Sequence, residues 1–150
     1  MVNLQIKRSV KLPVDRSILL HAALQTFAEA NIAPSSVMSV VIGSDALLKR
    51  LNLKYRGINS TTDVLSFPSS DTDPDTKSLY LGDVVISLPR AHDQAAAGGH
   101  PLAEELQLLV VHGTLHLLGY DHLEKADKIK MQAIQDRILT RIGVNLNITL

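Results

Sequence analysis

Apolar positions fall into blocks with distinct periods. In Asn3–Val10, Leu4, Ile6 and Val10 stand at even spacing, the signature of a half-buried strand. In Ser17–Ala30, Ile18, Leu19, Ala22, Ala23 and Phe27 recur at helical spacing, with Asp15 placed to cap the first turn. Val37–Ile42 is a short β-branched run and predicts a buried strand. Ser44 or Asp45 can cap the next helix, Ala46–Tyr55, and Gly57 stands where a glycine would end it. Asp63–Phe67 predicts a third strand, stopped by Pro68, and the polar stretch SSDTDPDTKS, with Asp71, Asp73 and Asp75, predicts an exposed loop. Tyr80–Leu88 predicts a fourth strand ended by Pro89. A short helical stretch, Ala91–Ala97, follows, closed by Gly98 and Gly99. Pro101 suits the first turn of a long apolar helix, Leu102–Leu118, which Gly119 closes, and an amphipathic helix, Leu123–Ile142, ends before Gly143.

Strands and helices mix at first and two helices come last, with no internal repeat and no linker. This predicts an α+β fold: a single compact domain over residues 1–150, with a small sheet of about four strands packed by helices. The strand–helix–strand opening implies at least one parallel pair. A hydrophobic content of 45% and a mean hydropathy of +0.12 exclude a disordered or low-complexity chain. Without cysteine there is no disulfide, thiolate ligand or cysteine nucleophile, so any metal must be held by His and carboxylates. No apolar run approaches the ~20 residues of a membrane span. The opening MVNLQIKRSVKLP lacks the apolar core of a secretory signal, so a cytoplasmic protein with no membrane partner is expected.

Three of the six histidines fall in HGTLHLLGYDH, residues 112–122. His112 and His116 are four apart on the long helix in the C-terminal half, so they share a face about one turn apart. Gly119 can adopt the left-handed conformation that ends a helix, and the chain can then return His122 toward the same point. Three neutral nitrogens with a fourth position left open is the layout of a catalytic zinc site. A histidine on an apolar helix can also be a satisfied core residue, but two unpaired imidazoles there would be costly. His21, His92 and His100 lack this context and read as ordinary surface or half-buried residues. The spacing is that of the metzincin signature HExxHxxGxxH, except that Gly113 stands where those proteases carry their general base. Asp121, beside His122, is a candidate carboxylate behind the ligands or a base; its alternative is an Asp that caps the loop. Glu105, seven residues before His112, is a weaker candidate; its alternative is a solvated Glu.

Zero net charge, from 15 basic and 15 acidic residues, is unlike a dedicated nucleic-acid binder, yet the charge is unevenly spread. Residues 1–70 hold eight basic and four acidic side chains, and Lys49, Arg50, Lys54 and Arg56 place four positive charges in eight residues. Such a helix end beside a metal site would attract phosphates, and Tyr55 could stack on a base. The same charges are also a common way to complement a helix C-terminus. Asp83 interrupts an apolar strand, either as a strand-edge hydrogen-bonding residue or as part of a cleft floor. Ser66 and Thr62 read as strand and cap residues rather than nucleophiles.

HGTLHLLGYDH, with LNLKYRGINSTTDVLSFP at residues 51–68 and LGDVVIS at 81–87, resembles the YbeY family of bacterial endoribonucleases and rRNA maturation factors, in the same block order. The resemblance implies a mostly parallel sheet with one antiparallel strand. It implies one Zn2+ per chain on His112, His116 and His122, and Arg56 as the functional basic residue of the cleft. It further implies single-strand-specific cleavage in small-subunit rRNA 3′-end maturation and ribosome quality control, with the small ribosomal subunit and an Era-type GTPase as partners. The chain departs from the family pattern at Asn59, where Asp is usual, and at Thr61, where Pro or a small residue is usual. Arg56 would neutralise phosphate oxygens as charge grows on them, and either a water or the RNA 2′-OH could attack. Two other readings stay open: a non-catalytic assembly factor with a structural zinc, and a zinc hydrolase or protease, against which Gly113 counts.

Overall fold

The computed structural model describes residues 1–146. Its elements are β1 (Val2–Ile6), α1 (Arg16–Glu29), β2 (Val37–Gly43), α2 (Asp45–Arg56), β3 (Val64–Pro68), β4 (Tyr80–Ser87), α3 (Leu88–Gly98), α4 (Leu102–Leu117) and α5 (Lys125–Arg141). The four strands form one sheet in the order β1-β2-β4-β3. β1 and β2 are parallel, as are β2 and β4, while β3 runs antiparallel to β4 at the edge. The domain is therefore α+β, with the mostly parallel sheet and single antiparallel strand that the resemblance implies. Among the described residues, no helix is long and apolar enough to cross a membrane.

Alternation along the strands separates two packed layers. On β4, Val84 and Ile86 face the main core, where they join Leu19, Phe27, Met38, Leu106 and Leu115. Val85 faces the other way and meets Leu48 of α2 and Leu65 of β3 in a smaller cluster. α4 is the central element of the main layer, packing against α1, α3, α5 and the β3–β4 edge. Its residues Leu106 to Val111 are all buried, which is why its sequence is apolar on nearly every side.

Several boundaries differ from the sequence expectation, each for a local reason. β1 ends at Ile6 rather than Val10, because the Val10 amide turns back to the Lys7 carbonyl. α3 starts at Leu88, three residues early. Ser87 caps it through the Arg90 amide, and Pro89 sits in its first turn rather than marking only the end of a strand. Ser44 caps α2 through the Leu47 amide. At Gly82 (φ +127°), an added Cβ would lie 2.1 Å from the Phe67 carbonyl oxygen, so β3 can approach β4 only over a glycine.

Candidate metal centre and its cleft

α4 brings His112 and His116 to its exposed side. Their Nε2 atoms lie 3.1 Å apart, close to the ~3.4 Å separating two nitrogens on a tetrahedral zinc with 2.0–2.1 Å bonds. After the helix, Gly119 (φ +95°) reverses the chain and His122 returns on a short loop. One nitrogen from each of the three rings lies within 4.8 Å of the others. His112 and His116 are half-buried, while His122 is exposed. A donor set of three imidazole nitrogens is consistent with zinc.

The surroundings of His112 and His116 disfavour their charged forms, which could not act as ligands. Burial pushes the His112 pKa down, against its hydrogen bond to Gln135 and the nearby Asp63 carboxylate. Burial, followed by the neighbouring His112 and His122, pushes His116 from 6.5 to about 4. His112 Nδ1 meets Gln135 Oε1 of α5 at 2.9 Å. Gln135 is fully buried, and among the described residues its Nε2 finds no hydrogen-bond partner, a cost on the order of 1–3 kcal/mol.

The histidines open into a cleft of ≈ 560 Å³, also lined by Arg56, Asp63, Ser66 and Asp121. Arg56, at the end of α2, is exposed, and its guanidinium reaches Asn52 Oδ1 at 3.5 Å. Asn52 is 2% exposed and also donates to the Ser60 carbonyl at 2.9 Å, so one side chain ties Arg56 to the loop that follows it. Asn59 is exposed on that loop, and Thr61 donates to Asp45 at 3.2 Å. Asp121 lies at the cleft, where its carboxylate accepts from the Leu123 amide and stabilises charge on His116.

Other candidate residues lie elsewhere. Asp83 is on the α2 face of the sheet, away from the histidines, and accepts a short hydrogen bond from the Tyr80 hydroxyl. Lys49, Arg50 and Lys54 are exposed on α2. Arg50 borders a groove with Lys7 and Arg8, and Lys54 lies 5.1 Å over the Tyr55 ring. Glu105 is not solvated: it is 4% exposed and meets His100 Nε2 at 2.8 Å, in a smaller cavity behind His112.

Three site residues escaped the sequence reading. Asp63 lines both cavities; its Oδ1 accepts from the Val64 amide at 2.8 Å and its Oδ2 from Gln94 at 3.3 Å. At the head of a strand it reads as a cap. Asn52 left a signal, a polar residue one turn after the buried Leu48 on the same helix face. Gln135 sits likewise one turn after Met131, among the buried positions of α5.

Gly113 has a packing role of its own. A Cβ there would lie 2.6 Å from a Val84 methyl and 3.3 Å from Ser66 Oγ, which donates to the Gly113 carbonyl at 2.9 Å. The position after the first histidine thus faces the sheet, with no room for a glutamate.

The family model described as "Endoribonuclease YbeY" matches residues 3–143. A Moorella thermoacetica protein of that description is 42% identical over 142 residues, covering 88% of this chain and 91% of that one. A Roseiflexus protein of the same description is 40% identical over 150 residues, covering 96% and 94%. The solution structure of a Thermotoga maritima protein shares the fold, with a TM-score of 0.61 at 23% identity over 95% of this chain and 89% of the other. With the family's model spanning nearly the whole chain and the three histidines gathered at one point, the chain belongs to the YbeY endoribonuclease family.

Proposed function

We propose that this single domain, residues 1–150, is a metal-dependent endoribonuclease. It cleaves single-stranded RNA in maturation of the small-subunit rRNA 3′ end and in ribosome quality control. The observation that carries the reading is the arrangement of one cleft: three histidine nitrogens within 4.8 Å of one another, with Arg56 lining the same cavity. His112, His116 and His122 would hold one Zn2+, which when bound supplies Lewis acidity toward a phosphate oxygen or a water. Arg56 binds the phosphate, and its planar fork can take two oxygens as charge grows on them. Asn52 keeps that fork at the cleft. Asp63 and Asp121 are the carboxylates placed to receive a proton from the attacking hydroxyl, whether of water or the 2′-OH. Lys49, Arg50 and Lys54 would hold the RNA outside the cleft. The small ribosomal subunit and an Era-type GTPase are the proposed partners, in the cytoplasm.

Cleavage of a single-stranded rRNA 3′-end fragment tests this, with wild type and His116→Ala purified identically and their metal measured. The expected result is cutting by metal-loaded wild type and none by the variant. Equal cutting by both would assign the activity to a contaminant. No cutting by a wild type holding one metal per chain would favour the non-catalytic assembly factor. The protease reading loses its base, because Gly113 faces the sheet. A peptide library should stay intact.

A further inference from the structure

We propose that Gln135 is a positioning residue, which fixes His112 in the tautomer that presents Nε2 to the metal and, being uncharged, leaves the cation's charge to the phosphate. The inference rests on the metal site proposed above but not on the nuclease reading. Gln135 reaches His112 from α5, 23 residues further along the chain, through a single contact, Oε1 to Nδ1 at 2.9 Å. An amide oxygen can only accept, so Nδ1 carries the proton and Nε2 keeps its lone pair. That lone pair points toward His116, whose Nε2 is 3.1 Å away. The reversed amide would donate to Nδ1, place the proton on Nε2 and block the ligand position.

The other end of the amide bears on why a polar residue stands here at all. Nε2 of Gln135 is buried without a partner among the described residues. A residue selected only to fill this fully buried space would be apolar, as Met131, Ile134 and Ile138 are on the same helix. The cost of the unsatisfied end is then set against the contact the other end makes with His112. Metal-bound histidines commonly rest on a carboxylate, which raises their basicity but offsets the metal's charge. A neutral amide orients the ring without that offset, and an anionic substrate then meets a more positive centre.

Gln135→Leu and Gln135→Glu, with wild type, test both halves. Zinc affinity by chelator competition and the His112 tautomer by ¹⁵N chemical shifts, the latter in metal-free protein, are the readouts. Binding of an RNA oligonucleotide by the zinc-loaded proteins is the third. The Leu variant should bind zinc roughly 10–100-fold more weakly. The Glu variant should bind zinc at least as tightly as wild type but the oligonucleotide several-fold more weakly. Wild-type His112 should carry its proton on Nδ1. A Leu variant with wild-type zinc affinity, or a wild-type proton on Nε2, overturns the positioning role. Unchanged oligonucleotide binding by the Glu variant overturns the charge argument. Packing alone would not separate the two variants in this way. Absence of zinc from wild type would instead count against the metal site, while the tautomer still decides the role of Gln135.

Discussion

His112 and His116 carry the pH response of the site. Burial lowers both, His116 to about 4. The unfolded chain binds protons at these histidines near 6.5, while in the folded chain both bind them only at lower pH, His116 near 4. Lowering the pH through that window therefore favours unfolding, and the contribution is fully present only above the unfolded value. The melting temperature of chelator-treated protein should fall between about pH 6.5 and pH 4, and fall less in His116→Asn. Asn52 makes a separate prediction. Asn52→Ala frees the Arg56 guanidinium and the loop at Ser60. Losing a hydrogen bond to a charged group should lower kcat/KM on RNA about tenfold, with zinc content unchanged. At this scale the clustering of the three histidines was legible because their spacing lies within one helix and one turn. Asp63 and Gln135 were not, because their partners Gln94 and His112 lie 31 and 23 residues away, while Asn52 acts locally, through Arg56 and Ser60, and showed only as a polar residue on a buried helix face.

α4 does two tasks, and Gly113 is where they meet. The helix rests against the sheet at that point, with Val84 and Ser66 closing on the missing Cβ. Gly113→Ala gains about 1 kcal/mol of helix propensity but forces a methyl against a fully buried, β-branched side chain, which costs about 1–3 kcal/mol. The net expectation is destabilisation by about 1 kcal/mol, read from denaturant melts, with weaker zinc binding as α4 lifts. In the sequence, Gly113 was visible only as an absent glutamate. Strands and helices were legible from period and caps. Their ends shifted where one residue serves two elements, as Ser87 does at the end of β4 and the start of α3. The β1-β2-β4-β3 order was not legible from periodicity alone, since pairing depends on contacts between distant segments.

Across the molecule, a neutral total conceals a basic stretch over residues 1–70. The cleft draws one arginine from it, Arg56, while Lys49, Arg50 and Lys54 stand on the outer surface of α2. RNA binding should therefore weaken with salt, but shallowly. The slope of log affinity against log salt should drop by about 0.7 for each of these residues that touches a phosphate, once replaced by alanine. An unchanged slope for the triple alanine variant would show that the RNA path runs elsewhere, while Arg56→Ala should lower both slope and cleavage.

The three histidines do not share one support. Two are set on a helix locked into the core, and the third hangs on an exposed turn that begins at a left-handed glycine. If the three histidines hold an ion, two of its nitrogens would be fixed by the core and the third carried by the loop, like a clasp, so the loop would govern how fast the ion leaves. Gly119→Ala meets no atom within 4 Å, so its cost is the backbone conformation alone, roughly 1 kcal/mol. It should speed zinc release to a chelator several-fold while leaving the helix and its two histidines in place.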